Sequence, residues 1–551
     1  MSHYETIPHV SIAHQVNVGM MVELKKNGLI VLLLLIAAAM NSGACSRLVP
    51  GKDPATIYMH LPAEPGTLNP LTSTDGYSST VNSHLYESLI DLDYDTLQPK
   101  PQLAERWEIS PDKMRYRFYL RKGVLWSDGV EFTADDVVYS YNRIMDPKVA
   151  CAQLKVYYID IKNCRKINSY AVEFVYSRPY FLALTFCGGM PVIPRHIFDD
   201  GTDFNTHRRN RNPVGNGPYR FAGWDTGKNI TLVINERYYG KKPEIKKIVY
   251  KFIQDHSVAF KMLKKGDLDE MELREIEWVR QTGSKKFNRR FYKLKYYMPI
   301  FSYIGWNSAR PFFKDRRVRL AMTHLVNRKD ILNKLLFGLG KTVTGPFYIF
   351  DSSYNRNLKP WPYDPERAKR LLAEAGWIDH DGDGVLDRNG LKFAFTFTTP
   401  SESKFTERLG SILKEDLAKV GIVMEINRFE WAVFLQKIQS KDFDATSLRW
   451  SGGFEQDPYQ IWHSSQIQGG SNYIGFRNRE ADRIIEAARK EFDEKRRDRM
   501  YHRFHEILHY EQPYTFLFTM PNLVVVSRRF DNVIVHKRGL NILEWKVKPP
   551  L

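Results

Sequence analysis

Cysteine is scarce in this chain, with 4 residues among 551. None of the four lies in a Cys-x-x-Cys pair, so the sequence signals neither a zinc site nor a thioredoxin-like motif. If Cys45 is modified, Cys151, Cys164 and Cys187 allow at most one disulfide, and Cys151 with Cys164 would close a short loop. The alternative is that all three are small buried side chains, and the spacing leaves both interpretations open.

Signals of catalysis are lacking as well. The chain contains no G-x-S-x-G elbow, Walker loop or G-x-G-x-x-G unit. His502, His505 and His509 fall on one predicted helix at spacings of three and four, which could place them on one face around a transition metal. An ordinary helix surface is the simpler interpretation. We therefore expect no catalytic motif and no enzyme, with a hydrolase of exported peptides as the alternative.

Acidic residues are too few to balance the basic ones: 63 against 81, a net charge of +18. The basic pairs, such as Lys241-Lys242 and Arg496-Arg497, are spread along the chain among helical and turn residues. No zinc-finger spacing, RNP-like strand or basic helix with heptads accompanies them. We expect no nucleic-acid partner, and weak attraction to an anionic membrane surface is a better use of the charge.

Residues 1–45 have the order of a secretory signal. Lys25 and Lys26 precede an apolar run at residues 29–40, which is too short to span a bilayer comfortably. The small residues before Cys45 resemble a bacterial lipobox, in which the cysteine is acylated, although Ser42 stands where Leu is usual. We expect an exported protein on the periplasmic or cell-surface face of a bacterial membrane, anchored by lipid on Cys45. A plain signal peptide and an uncleaved anchor are the alternatives.

Helix and strand patterns interleave throughout the rest of the chain. Residues 114–120 alternate between apolar and polar, as in a half-buried strand. Thr133 is a candidate N-cap for a following helix, and Pro365 suits the first position of another. Interleaving of this kind predicts α/β lobes.

Several longer stretches resemble the extracellular solute-binding proteins of the oligopeptide and dipeptide ABC importers (family 5). The resemblance extends over residues 55–530. It is carried by PGTLNP at 65–70, PQLAERW at 101–107, FYLRKGVLWSDG at 118–129, FTADDV at 132–137, GNGPY at 215–219, DRRVRLA at 315–321, YDPERA at 363–368, DPY at 457–459, WHSS at 462–465 and QPY at 512–514.

The resemblance implies a two-lobed α/β fold of the periplasmic-binding-protein type, with a hinge between the lobes and the ligand in the cleft. Lobe I is expected at residues 46–85, 189–300 and 511–551, its inserted subdomain at 86–188, and lobe II at 301–510. The implied function is to capture a peptide or peptide-like solute and deliver it, as a monomer, to the permease subunits of an importer. The alternatives are an adhesin or receptor on the same fold, and a non-peptide ligand such as nickel, haem or an oligosaccharide.

Family ligands lie against two loops, one from each lobe. We expect the first loop at Asp75, Gly76 and Tyr77. The second would contribute an apolar wall and glycines that let the backbone approach a ligand, at Arg449, Trp450, Ser451, Gly452, Gly453, Glu455 and Asp457. Many family members place an aspartate shortly after this tryptophan to hold the α-ammonium of a peptide. Gly453 or Phe454 stands there in this chain, and Glu455 or Asp457 could substitute.

The segment at 379–390 matches the first part of a calcium loop. The candidate ligands occupy positions 1, 3, 5, 7 and 9, with Gly384 at position 6, and they are Asp379, Asp381, Asp383, Val385 and Asp387. Position 12 is Gly390 instead of the bidentate Glu of an EF-hand, and a strand follows. We expect no cofactor apart from a structural calcium ion here, and the alternative is an acidic turn between helix and strand.

Overall fold

The computed structural model describes residues 53–401 and 403–549. The predicted signal segment with Cys45 lies outside the described residues. Strands β1–β26 and helices α1–α16 are numbered in chain order. The helices are α1 Gly76–Leu85, α2 Ala134–Met145, α3 Ala152–Tyr158, α4 Ala183–Gly188, α5 Arg195–Phe198, α6 His256–Lys265, α7 Glu275–Arg280, α8 Lys285–Arg290, α9 Arg316–His324, α10 Arg328–Leu336, α11 Pro365–Glu374, α12 Lys404–Ala418, α13 Trp431–Ser440, α14 Tyr459–Trp462, α15 Arg479–Ala488 and α16 Glu494–Glu511. Among these helices, none combines the length and apolar composition that a membrane crossing requires.

A seven-stranded mixed sheet forms the first lobe. Its order is β12 (Phe291–Tyr297), β22 (Pro521–Ser527), β11 (Glu270–Glu272), β1 (Thr56–Leu61), β10 (Lys247–Phe252), β9 (Asn229–Ile234) and β8 (Tyr219–Asp225). Successive strand residues point to opposite faces, so each face carries its own apolar set. Val524 and Val526 join the larger core of the lobe, whereas Leu523 and Val525 pack against α6 and α8 on the other face.

A four-stranded antiparallel sheet lies within residues 86–188. Its order is β4 (Ala104–Ile109), β5 (Arg115–Leu120), β7 (Ala171–Tyr176) and β6 (Ile161–Asn168). Tyr116, Phe118 and Leu120 are buried, so the predicted alternation is confirmed. Thr133 caps α2 in a capping box with Asp136, also as predicted. This sheet shares one core with the first lobe.

The second lobe is built on a five-stranded sheet. Its order is β18 (Val423–Phe429), β17 (Ala394–Pro400), β19 (Ala445–Ser451), β13 (Ile300–Trp306) and β20 (Tyr514–Phe516). Strand β13 buries Ile304 and Trp306 in one core and Phe301 and Tyr303 in another, because its two faces are both covered. Pro365 opens α11, as predicted.

The chain passes between the two large sheets at two adjacent places. Strand β12 of the first lobe leads to β13 of the second through Met298 and Pro299. The return runs from β20 through Phe518–Thr519 to β22. Because β12 pairs with β22 and β13 pairs with β20, the two crossings lie side by side. This arrangement confirms the expected two-lobed α/β fold.

One predicted boundary is wrong. Residues from 511 onward were expected in lobe I, but Tyr514–Phe516 pairs with β13 in the sheet of lobe II. The return to lobe I comes at β22, because QPY at 512–514 opens a strand that completes the second sheet.

The smaller features complete the fold. Cys151, Cys164 and Cys187 are buried thiols without a disulfide, which agrees with the second of the two interpretations. The short strand pairs are β2 Ile90–Leu92 with β3 Pro99–Pro101, β14 Lys341–Thr342 with β21 Phe518–Thr519, β15 Asp387–Arg388 with β16 Leu391–Lys392, β23 Phe530–Asp531 with β26 Lys546–Val547, and β24 Val535–His536 with β25 Gly539–Leu540.

Candidate ligand-binding cleft

Trp450 is the centre of an aromatic stack next to the crossings. The ring is half-buried and lies near-parallel to the rings of Tyr303 and Tyr473, at centroid distances of 6.3 and 6.0 Å. Its indole Nε1 donates to the hydroxyl of Tyr514 at 3.2 Å. Two stacked rings and one hydrogen bond fix the side chain, so Trp450 provides a rigid apolar wall with little conformational entropy left to lose.

The residues after Trp450 form an exposed loop tied to the first crossing. Ser451, Gly452 and Gly453 are all exposed. The backbone N–H of Gly452 donates to the carbonyl of Pro299 at 3.0 Å. The loop is therefore held where the chain changes lobes, with accessible backbone beside Trp450.

Arg449 projects from the same strand and is exposed. Its charge acts on the carboxylate of Glu272, a residue of β11 in the first lobe. Arg449 thus connects the Trp450 strand electrostatically with the sheet of the other lobe.

Glu455 and Asp457 both have partners within the protein. Glu455 pairs with Arg497 through a side chain that is 46% exposed, and desolvation by the surrounding protein raises its pKa despite the charge of Arg497. Asp457 accepts from Arg489 Nε at 2.8 Å, from the hydroxyl of Tyr180 at 3.0 Å and from the backbone N–H of Tyr459 at 3.0 Å. Three of the roughly four acceptor positions of this carboxylate are therefore used within the protein, and a ligand ammonium at Asp457 would share it with these donors.

The contacts of Asp457 join the inserted subdomain to the second lobe. The guanidinium of Arg489 lies 4.7 Å from the ring centroid of Tyr180 and 4.4 Å from that of Tyr459, and it also approaches Asp160 at 3.6 Å. We call Tyr180, Asp160, Asp457, Tyr459 and Arg489 the interlobe latch. Cation–π contacts and shared ion pairs give it two kinds of attraction in one place.

The first predicted ligand-binding loop, at residues 75–77, has a structural role in the first lobe. Asp75 is the N-cap of α1 and accepts from the backbone N–H and the hydroxyl of Ser78 at 2.7 and 2.6 Å. Gly76 is exposed and Tyr77 packs against the core of the first lobe. No hydrogen bond, ion pair or ring contact among the described residues joins this loop to the Trp450 loop. A direct role of Asp75, Gly76 and Tyr77 in binding stays a prediction.

The calcium loop carries an internal cation. Carboxylate oxygens of Asp379, Asp381 and Asp387 lie within 4.8 Å of one another. The ammonium of Lys392, on the following strand, contacts Asp381 at 2.6 Å and Asp383 at 2.9 Å, which raises its pKa. A calcium ion would compete with Lys392 for these oxygens.

Two of the predicted ligands, Asp387 and Val385, also take part in hydrogen bonds with backbone groups of the loop. Asp387 accepts from the backbone N–H of His380 at 3.0 Å. The backbone N–H of Val385, whose carbonyl was the predicted ligand, donates to Asp383 at 2.9 Å. Calcium at Asp379, Asp381, Asp383, Val385 and Asp387 stays a prediction.

The three helix histidines have separate partners. His502 Nε2 contacts the carbonyl of Ser352 at 2.8 Å, and His509 stacks on Trp361 at 5.0 Å. His505 is fully buried, and its Nε2 lies 3.0 Å from the hydroxyl of Thr344. These separate partners do not support a shared metal, and the alternative of an ordinary helix surface is wrong for His505, which lies in the core of the second lobe.

The expectation that the sequence contains no catalytic motif is wrong. Residues 505–509 read H-E-I-L-H and match the zinc-protease pattern H-E-x-x-H. In the structure His505 is buried so tightly that a Cβ on Gly345 would lie 2.1 Å from its Nε2. Burial lowers the pKa of His505 to about 3. Glu506 pairs with Arg503 at 3.2 Å. These side chains are used in packing the second lobe, so the letters do not form a zinc site there.

Two lobes joined by paired crossings, with an aromatic wall at the junction, define the class of ligand-binding proteins that close like a hinge. Residues 98–472 match the model of the bacterial extracellular solute-binding proteins, family 5 (middle region). The chain belongs to this family.

Individual relatives match both lobes. The oligopeptide-binding protein AppA of Bacillus subtilis is 31% identical over 95% of this chain and 99% of its own length. The dipeptide-binding protein of Escherichia coli is 26% identical over 90% and 93%. The solved structure of the Bacillus subtilis AppA in complex with a nonapeptide superposes with a TM-score of 0.77 at 30% identity, covering 90% of this chain and 99% of that one. Family members are transport proteins of the extracellular space, and at the family level they are not enzymes.

Proposed function

We propose that this protein is the substrate-binding component of an ABC importer, which captures a peptide or peptide-like solute between its lobes and delivers it to the permease. The observation that carries the proposal is the full-length similarity to an oligopeptide-binding protein, at 31% identity over 95% of this chain. The similarity spans both lobes, so it includes the segments that would form the cleft.

The contacts around Trp450 support capture of an extended ligand. The indole is held rigid by Tyr303, Tyr473 and Tyr514 and offers apolar surface at the junction of the lobes. The exposed backbone of Gly452 and Gly453 lies next to it, where an extended peptide could pair as an added strand. Rings and backbone of this kind suit many side chains, which is what an importer of mixed peptides needs.

The proposal includes the way in which the protein is held at the membrane. The order of residues 25–45 supports export and acylation of Cys45, with the folded part acting as a monomer outside the cytoplasm. One acyl chain alone gives marginal binding, so more than one chain or added attraction is required. The net charge of +18 would add attraction to an anionic surface.

Calorimetry on the ligand-free refolded protein tests the role of Trp450. The probe is a pool of nonapeptides with randomised uncharged side chains. We expect Trp450→Ala to bind the pool about tenfold more weakly or worse, because a rigid aromatic wall is lost. Trp431→Ala is the matched control, because Trp431 is 48% exposed and lies on helix α13, away from the Trp450 strand. Undiminished affinity of Trp450→Ala would remove this residue from the site.

A further inference from the structure

Two glutamates of strand β11 in the first lobe lack the basic partner that other acidic side chains of this lobe have. Glu173 and Asp269, for example, are both held by arginine. The carboxylates of Glu270, which is half-buried, and of Glu272, which is exposed at the end of the same strand, make no hydrogen bond or ion pair within the part of the chain that the structure describes. A chain with 81 Lys and Arg residues does not lack cations to pair with them.

The two carboxylates lie on one face of the sheet, because they are two residues apart on β11. Met59 of β1 pairs with Glu270 on one side and with Tyr250 of β10 on the other, so these residues form one row across three strands. Glu272 is within electrostatic reach of Arg449 from the Trp450 strand. Glu272, the exposed member of the pair, is therefore the one that the charge of Arg449 reaches.

Tyr250 is a second polar side chain in this row that lacks a hydrogen-bond partner among the described residues. Its side chain is fully buried, and its hydroxyl has no hydrogen-bond partner among the described residues. The charge of Glu270 is one of the causes that raise the pKa of this hydroxyl, after burial itself. A buried hydroxyl in the same row as an unpaired carboxylate leaves two polar groups for a ligand to satisfy.

The protein supplies little positive charge at Glu270 itself. Burial raises the pKa of Glu270 to about 8, and the charge of Glu272 adds to the shift. His84 lies 6.4 Å from the ring of Tyr250, but burial lowers its pKa to about 4, so it is neutral at pH 7. The groups that act on Glu272 are Glu275, Arg449 and His256. A cation brought by a ligand would restore the charged form of Glu270.

We propose that Glu270 and Glu272 form a subsite for a positively charged group of the ligand, such as a lysine or arginine side chain. This inference rests on the proposed function and adds a preference to it. The two carboxylates on one face of β11 offer several acceptors, which match the multiple N–H donors of an ammonium or guanidinium group, and the hydroxyl of Tyr250 lies in the same row of the sheet. The subsite is separate from Asp457, whose carboxylate is used in the latch.

Two nonapeptide pools test the subsite on the ligand-free full-length fold. One pool has a single lysine at each position in turn in a randomised uncharged background, and the other has glutamine instead. We expect the wild-type protein to bind the lysine pool about tenfold more tightly or better, because a charge-assisted hydrogen bond is gained. In Glu270→Gln the ratio between the pools falls towards one, and in Glu272→Gln it falls less.

The controls separate the alternatives. Glu415→Gln makes the same change of charge on an exposed helix and keeps the wild-type ratio. N-acetylated versions of both pools distinguish a side-chain cation from the α-ammonium, since only the latter is lost. Equal binding of the two pools by the wild-type protein would overturn the subsite while leaving peptide capture intact. Binding of neither pool would overturn the proposed function itself.

Discussion

Glu277 shows how one residue sets the acid stability of the first lobe. The carboxylate is 2% exposed and is held by Arg274 at 2.6 Å and His256 at 3.1 Å. Burial alone would raise its pKa, but the hydrogen bonds from His256 and Arg274 outweigh it and lower the pKa from 4.5 to about 2. Because the pKa is lower in the folded state, the stability is present above pH 4.5 and is lost as the pH falls towards 2.

We expect Glu277→Gln to flatten the acid limb of the stability curve. Between pH 5 and pH 3 the wild-type protein should lose about 2 kcal/mol more in its free energy of unfolding than the variant does. Urea unfolding at the two pH values measures the difference, with Glu275→Gln as a control on the same helix. A variant that falls as steeply as the wild-type protein would show that Glu277 does not titrate in this way.

At the scale of elements, the loop at residues 379–392 brings its own cation. Lys392 on β16 approaches two carboxylates of the loop, so a calcium ion must displace an ammonium before it can bind. The turn between α11 and β17 is therefore closed without metal. The spacing of acids alone could not indicate this, because the lysine that neutralises them comes from the next strand.

Melting temperatures with and without about 10 mM calcium test whether Lys392 and calcium compete for these carboxylates. We expect the wild-type protein to change little, and Lys392→Gln to gain about 2 °C. Lys369→Gln, an exposed lysine in an i,i+3 pair with Glu366, is the control. A clear rise for the wild-type protein with calcium, reversed by a chelator, would instead support the structural calcium ion.

Features set by neighbouring residues can be predicted from this sequence, whereas features that depend on distant segments cannot. Alternation at 116–120, the cap at Thr133 and the proline at 365 are local signals, and the structure confirms them. The use of Asp457 could not be predicted, because its partner Tyr180 is 277 residues away in the sequence. Likewise, H-E-x-x-H at residue 505 carries no sign that Gly345 lets another segment enclose the first histidine.

At the scale of the whole molecule, the crossings and the latch both affect how the lobes open and close. The crossings at Pro299 and at Phe518–Thr519 let the lobes turn relative to each other. The latch, centred on Arg489, adds attraction between the subdomain and the second lobe. Opening the molecule breaks the latch contacts, so these contacts favour the closed state. A ligand that binds between the lobes favours the closed state further.

Native mass spectrometry of the protein purified from its own cells tests the central claim most directly. A closed binding protein retains its ligand through purification when dissociation is slow. We predict a bound species that is released on unfolding and fragments as a peptide or peptide-like solute, with lysine or arginine over-represented. Protein that carries no such species, and that also gives no heat with the nonapeptide pools after refolding, would contradict the claim that it captures peptides.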